Sequence, residues 1–435
     1  METILERRHR LLGTGPRLYY DVPFHPVRGS GVFLYDVDGK EYIDVYNNVP
    51  HVGHCHPYVV EAVNRQIATL NTNTRYLFTS VLDYAERLVE TTSPGLDTVL
   101  LTCTGSEAND LAWRLAHIFT RRRGVITTNR AYHGNTAFLR AIDASSPPAD
   151  GNVPEWCDVV GPATPREYAD DASRAVAAED YGREFAKSVQ NLTDKKFAPA
   201  AFFFDTFFCS EGVHAPTEGF LAPTMALARK SGVLVVADEV QAGLSRGGKA
   251  FWGFQQHGVI PDIVTCGKPM GNGHPIGVVI TRREIADAFF KADRYFNTFA
   301  GNPVSCIAGL AVLDVLAKEN LQENARRTGQ VLIDGLRSLA QRHEVIGAVR
   351  GDGFLIGVEL VDDRSTRAPA GKRARRIINE LCTRGVLVGL TGPNRAARNI
   401  LKIRPPMVFG ANHADRVLSE IDNVLSLTEG DRGLR

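Results

Sequence analysis

Three short stretches carry residue types that could do chemistry together. The first is TCTGSEAND (102–110), a Thr-Gly-Ser turn between a strand-like run and a helix-like run. Backbone N–H groups at a helix start, joined by a small hydroxyl, suit an anion such as a phosphate. Ser106 is equally an ordinary helix cap when taken alone. The second is VLVVADEVQAG (233–243), where an apolar run ends in Asp238-Glu239. Acidic residues at the carboxyl end of a parallel strand lie where α/β sheets bind ligands, although a solvated pair would look the same. The third is Lys268 in DIVTCGKPMGNGHPIG (262–277). A lysine just past an apolar run, among glycines and prolines, can be desolvated and made nucleophilic. Alone, it reads as a surface loop lysine.

Together these stretches run in the order anion cup, aspartate, lysine. Pyridoxal phosphate needs all three: a lysine amine for its aldehyde, a carboxylate at its pyridinium nitrogen and a seat for its phosphate. The segment AYHG (131–134) adds Tyr132, an aromatic that could stack on the ring, and His133 beside it.

The elements that must position these residues can be read from periodicity. From residue 97 onward, short apolar runs alternate with helical patterns: DTVLLTC (97–103), a helix over 106–122, GVITTN (124–129), PAAFFFD (199–205), a helix over 222–231, GVLVVADE (232–239), DIVTCG (262–267) and GVVITR (277–282). Such alternation predicts a mainly parallel sheet covered by helices on both faces. Upstream, residues 1–30 read as a short helix and an irregular segment, and 31–46 as a hairpin around Asp38-Gly39. A loop (47–57) and helical spacing at 58–70 and 81–92 follow. The stretch 143–196 is polar, without a clean period, and reads as loops and surface helix. Residues 303–342 read as one or two helices, and 345–435 as a strand pair, a helix, a strand and a last helix. The expected organisation is an N-terminal segment (1–57) packing with the small domain, a large cofactor-binding domain (58–310) and a small C-terminal α+β domain (311–435).

At this point the chain resembles the class III pyridoxal-phosphate aminotransferases of fold type I. DGKEYIDVYNN, GHCHP, TGSEAND, AYHG, ADEVQAGLSRGG, PDIVTCGKPMGNGHPIG and FNTFAGNPVSC carry the resemblance, in that order, over nearly all 435 residues. It implies that Lys268 forms the Schiff base and Asp238 partners the pyridinium nitrogen. Gly105 and Ser106 would hold the phosphate, Tyr132 and Val240 would cover the two ring faces, and Gln241 would approach the ring hydroxyl, with His133 also near the cofactor. Thr298 would reach the phosphate of the partner subunit's cofactor, which implies a homodimer. Within the family, NNVPHVGHCHP, LNTNTRYL, GKPMGNGHPIGVV and LKIRPPM resemble the phospho-lyase branch, whose members cleave ethanolamine phosphate or 5-phosphohydroxylysine. Ordinary relatives carry a carboxylate-gripping arginine where Lys402 stands, and a lysine point charge suits a phosphate as well. The expected activity is therefore phosphate elimination from a small phosphorylated amine, giving aldehyde, ammonia and phosphate. An aminotransferase reaction with a keto acid is the alternative. Arg75, Lys402 and Arg404 are the candidate phosphate-binding cations. The segment DTFFCSEG (205–212) departs from the family pattern, with Asp205 for glutamate, Phe208 for glutamine and Ser210 where some relatives keep a gating glutamate. An altered substrate pocket is predicted.

Other signals carry less. GLSRGGKA (243–250) lacks the hydroxyl that a phosphate-binding loop needs after its lysine. HVGHCH (51–56) has no second Cys/His cluster with which to share a metal, so no metal is expected. GDGFLIG (351–357) lacks dinucleotide spacing, and RRR (121–123) and KRARR (372–376) read as solvated faces. Fifty basic residues balance forty-nine acidic ones, so no sequence-wide field draws the chain to nucleic acid or membrane. Seven dispersed cysteines without a CxxC pair indicate reduced usage. With a charged N-terminus and no apolar leader, a cytoplasmic location is expected.

Overall fold

The structure, a computed structural model, describes residues 2–15, 18–145, 153–161, 170–215, 217–392 and 398–430. Its centre is a seven-stranded sheet in the order Thr98–Thr102, Gly277–Thr281, Ile263–Cys266, Leu234–Asp238, Pro199–Asp205, Gly124–Thr128, Cys157–Val160. Four neighbouring pairs are parallel, whereas Gly277–Thr281 runs antiparallel to both of its neighbours. Strand periodicity divides the interior in two. Phe203 and Val236 face one core with the helices Gly105–Thr120 and Arg283–Ala292. Phe202, Phe204, Val235 and Ala237 face the other, with Asp171–Asp194, Ala222–Ser231 and Pro303–Lys318. Strands buried on both faces read as continuous apolar runs, which is why PAAFFFD was legible.

Two smaller sheets flank this unit. The hairpin Phe33–Asp36 and Glu41–Asp44 lies beside Pro26–Ser30, and Glu41–Asp44 pairs in parallel with Val386–Leu387 from far along the chain. A five-stranded sheet contains Ile346–Asp352, Leu355–Asp363, Ala368–Pro369, Ile400–Ile403 and Gly389–Thr391.

Several expectations need correction. Pro26–Ser30 is a strand within the segment read as irregular, and Ile400–Ile403 is a strand that periodicity left unassigned. The stretch 143–196 contains an edge strand, Cys157–Val160, and a 24-residue helix, Asp171–Asp194, with a buried face of Ala177, Ala178, Tyr181, Gly182, Phe185, Ser188 and Leu192. Small residues on that face dilute the apolar signal. Residues 146–152 and 162–169 of the same stretch, and 431–435 of the tail, lie outside the described residues. Arg122 is not simply a solvated charge, since it donates to the carbonyls of Ser231 and Gly232 where a helix ends. Among the described residues, no helix is long and apolar enough to cross a membrane.

Candidate active site

The turns at one edge of the large sheet converge on a cleft. Asp238 ends Leu234–Asp238, Asp205 ends Pro199–Asp205, Lys268 follows Ile263–Cys266, Ala131–Gly134 follow Gly124–Thr128, and Thr104–Ser106 follow Thr98–Thr102. This is where α/β sheets place ligands.

The helix Gly105–Thr120 begins with a capping box. Thr104 Oγ1 accepts from Glu107 N at 3.1 Å, and Glu107 Oε2 accepts from Cys103 N at 2.7 Å and Thr104 N at 3.1 Å. The box fixes the first turn and leaves the Gly105 and Ser106 backbone facing a cavity of about 290 Å³. Glycine is required here by close packing: a Cβ at Gly105 would lie 2.7 Å from Val240 Cγ2, and one at Gly267 would lie 2.7 Å from Gly105 N. The cavity is also lined by Tyr132, His133, Asp238, Val240, Gln241 and Lys268.

Asp238 is buried and held at both oxygens. Oδ2 accepts from Asn109 Nδ2 and His133 Nδ1, each at 2.8 Å, and Oδ1 accepts from Val240 N at 3.0 Å. Asn109 is itself fixed, because its Oδ1 accepts from Thr265 Oγ1 at 2.6 Å. Burial works against a charge on His133, but the bond to Asp238 and the neighbouring carboxylates outweigh it and raise its pKa. Lys268 opens a 3₁₀ turn with φ of +24°, a conformation uncommon outside glycine. Its side chain is open to the cleft yet lies deep in the protein, and desolvation lowers its pKa.

A second chamber of about 300 Å³ adjoins the first and shares Tyr132, Gln241 and Lys268 with it. Here Gln241 Oε1 accepts from Lys402 Nζ at 3.0 Å and Arg404 Nη1 at 2.9 Å, while Gln241 Nε2 donates to Asp205 Oδ2 at 3.4 Å. Lys402 and Arg404 are 6% and 8% exposed, so both charges are held out of bulk water. Among the described residues neither has a carboxylate within ion-pair distance. Burial, then the neighbouring Arg404, pushes the Lys402 pKa down to about 7. Arg404 lies over the Tyr46 ring at 5.3 Å, and Tyr46 stacks on Tyr19 at 4.5 Å.

Every cofactor residue expected from the sequence except Thr298 lines the first cavity, and Lys402 and Arg404 line the second. Arg75 and Thr298 do not line either cavity. Both are exposed, and the Arg75 guanidinium stacks over Phe296 at 4.0 Å. The expected change in the pocket is narrower than the motif implied. Phe208 turns into the core against Phe204 and lines neither cavity, whereas Asp205 touches Gln241 and Ser210 lines the second chamber. The histidines of HVGHCH are engaged separately: His51 by Leu244 and Arg246, His54 by Asp44, His56 by Glu319. Asn109, Tyr19, Tyr46 and Arg398 were missed. Asn109 had a usable signal, since it stands four residues after Gly105 on the same helix face.

The residues present fit pyridoxal phosphate. The glycine-lined helix start could seat a phosphate, the fixed Asp238 carboxylate could face a ring cation, and the Lys268 amine shares the same cavity.

Residues 15–425 match the family Aminotransferase class-III. The chain is 38% identical over 441 residues to Ethanolamine-phosphate phospho-lyase homolog 1 of Caenorhabditis elegans, covering 98% of this chain and 94% of that protein. It is 33% identical over 409 residues to the human mitochondrial alanine–glyoxylate aminotransferase 2, covering 89% and 79%. A solved phospholyase from Arthrobacter, in complex with phosphoethanolamine, superposes with a TM-score of 0.93 at 38% identity, covering 98% of this chain and 99% of that one. Fold, cleft and relatives agree, and the chain belongs to the class III aminotransferase family.

Proposed function

We propose that the chain is a pyridoxal-phosphate-dependent phospho-lyase that expels phosphate from a small phosphorylated amine such as ethanolamine phosphate. The observation that carries this reading is the pair Lys402 and Arg404: two sequestered cations, without a carboxylate partner among the described residues, meeting at a neutral amide oxygen beside Lys268. Such a site favours a dianion. The Caenorhabditis relative and the Arthrobacter structure support it by their names.

In this reading Lys268 Nζ attaches the cofactor and later takes the proton from the amine-bearing carbon. Asp238, held by Asn109 and His133, keeps the ring nitrogen protonated. Gly105 and Ser106 would seat the cofactor phosphate, Tyr132 and Val240 would hold the ring within the same cavity, and Gln241 joins that cavity to the second chamber. When bound, the cofactor supplies an electron sink. Lys402 and Arg404 orient the substrate's phosphate.

The same reading includes a homodimer, in which Arg75 and Thr298 serve the partner subunit's site. Support comes from the apolar side chains around them: Leu77 is 98% exposed, Phe299 72% and Tyr76 65%. It also groups the residues before about 57 with the C-terminal part of the chain, supported by the pairing of Glu41–Asp44 with Val386–Leu387; the expected division at 310 runs through the buried helix Pro303–Lys318, which limited proteolysis should leave uncut. We place the enzyme in the cytoplasm, whose reducing potential fits seven unpaired cysteines. Cell fractionation against a mitochondrial marker tests that, since the human relative is mitochondrial.

The activity test uses cofactor-loaded protein, ethanolamine phosphate and no keto acid, with Lys268→Ala as the blank. Release of acetaldehyde and phosphate in equal amounts is expected. No release, with activity appearing only when a keto acid is added, would establish the aminotransferase reaction instead, the reading favoured by the alanine–glyoxylate relatives.

A further inference from the structure

We propose that Lys402 is the general acid that protonates the departing phosphate, transferring a proton from Nζ to the oxygen bridging carbon and phosphorus. The inference rests on the phospho-lyase reading and adds a catalytic role to a residue so far assigned only to binding.

The need for an acid follows from the leaving group. A phosphate monoester at neutral pH is largely dianionic. If its C–O bond breaks with the electron pair remaining on oxygen, and no proton arrives, the product is the phosphate trianion, a very poor leaving group. With a proton on the bridging oxygen it departs as hydrogen phosphate. The balance is complete: the C–O bond and one N–H bond break, one O–H bond forms, and Lys402 is left as a neutral amine that regains its proton from water. The electron pair that forms the carbon–carbon double bond is that of the C–H bond already broken when Lys268 removed its proton.

The chamber contains few groups that could supply this proton. Arg404 and Arg398 do not surrender protons in proteins. The Tyr19 hydroxyl is engaged by the Leu390 backbone and burial raises its pKa; burial likewise raises that of Tyr132. Ser145, Ser210 and Thr391 offer aliphatic hydroxyls, far weaker acids than an ammonium, and the Tyr46 ring is engaged by Tyr19 and Arg404. Asp143 is held by Ser145 and Arg140. Lys268 is engaged on the carbon side. Among the described residues, Lys402 alone combines depth, a position on this chamber and a pKa lowered to about 7. The charged and titratable groups acting on it are Arg404 on its own segment, Asp205 and Cys209 from the neighbouring strand end, and Lys268 from the turn. Arginine and lysine hydrogen phosphate comparably, but only lysine can give up a proton there.

The test compares two substrates that differ in what their leaving group needs. Ethanolamine O-sulfate has the same reacting carbons as ethanolamine phosphate, but sulfate departs without a proton. In wild type, kcat for the phosphate ester should fall as pH rises, because the acid must be protonated in the bound complex, and kcat for the sulfate ester should show no such fall. Lys402→Arg should lower kcat for the phosphate ester roughly a hundredfold or more, with KM changed only a few-fold. Its effect on the sulfate ester should be small. Calorimetric titration of inorganic phosphate into Lys402→Arg should show retained binding. Equal losses on both esters, or identical pH profiles in wild type, would reduce Lys402 to a binding residue and overturn the proposal. The wild-type comparison decides the matter even if the variant does not fold. Absence of aldehyde from both esters in wild type would instead sink the phospho-lyase reading itself.

Discussion

At the scale of single residues, the site depends on side chains that hold other side chains. Asn109 reaches no cavity, yet it donates to Asp238 and is locked by Thr265. Replacing it with alanine removes one hydrogen bond to a buried carboxylate, worth about 1.5–3 kcal/mol. Asn109→Ala is therefore expected to weaken cofactor binding roughly ten- to a hundredfold, measured by titrating the apo chain. Unchanged affinity would mean that His133 and Val240 suffice to hold Asp238. Asp238, Lys268 and Ser106 were legible in the sequence because each ends or closely follows an apolar run, inside a motif with its own composition. Asn109, Tyr19 and Tyr46 were not, because their positions are set by contacts between segments far apart in the chain. Phe208 shows the reverse error: the sequence marked an unusual residue, and only packing could reveal that it points inward.

At the scale of elements, the cradle works because a strand end, a helix start and a lysine turn approach within contact of one another. Gly105 is the point of closest approach, so Gly105→Ala is expected to push Val240 into the first cavity. Cofactor affinity should fall at least tenfold, with the helical signal in circular dichroism preserved. An apo chain that unfolds instead would show that the glycine serves the fold before the site. The central strands were readable from their apolar runs, each buried on both faces. The helix Asp171–Asp194 was not, since alanines and a glycine line its buried side. Ile400–Ile403 is only four residues long, too short for a period, although it presents Lys402 to the chamber.

At the scale of the whole molecule, the exposed side chains of Tyr76, Leu77, Phe296 and Phe299 lie on the two loops that carry Arg75 and Thr298. If a second copy covers them, the double variant Leu77→Asp/Phe299→Asp should sediment as a monomer and lose cofactor on gel filtration. A dimer that persists would place the interface elsewhere.

The sheet order has one more consequence, for synthesis. Among the described residues Thr98–Thr102 pairs only with Gly277–Thr281, and the chamber closes only when Ile400–Ile403 joins Leu355–Asp363. A chain emerging from the ribosome thus carries its anion cradle long before the partner strand, the lysine or the cation pair Lys402 and Arg404 exists. Long-range pairings of this kind are slow and leave apolar strands uncovered while they wait. The cofactor cannot template early folding, because no partial chain that stops short of Gly277–Thr281 holds the lining of the first cavity together. Filling of the first cavity thus reports that the lysine turn and its neighbouring strand have been made, whereas the second chamber reports that Ile400–Ile403 has joined the last sheet.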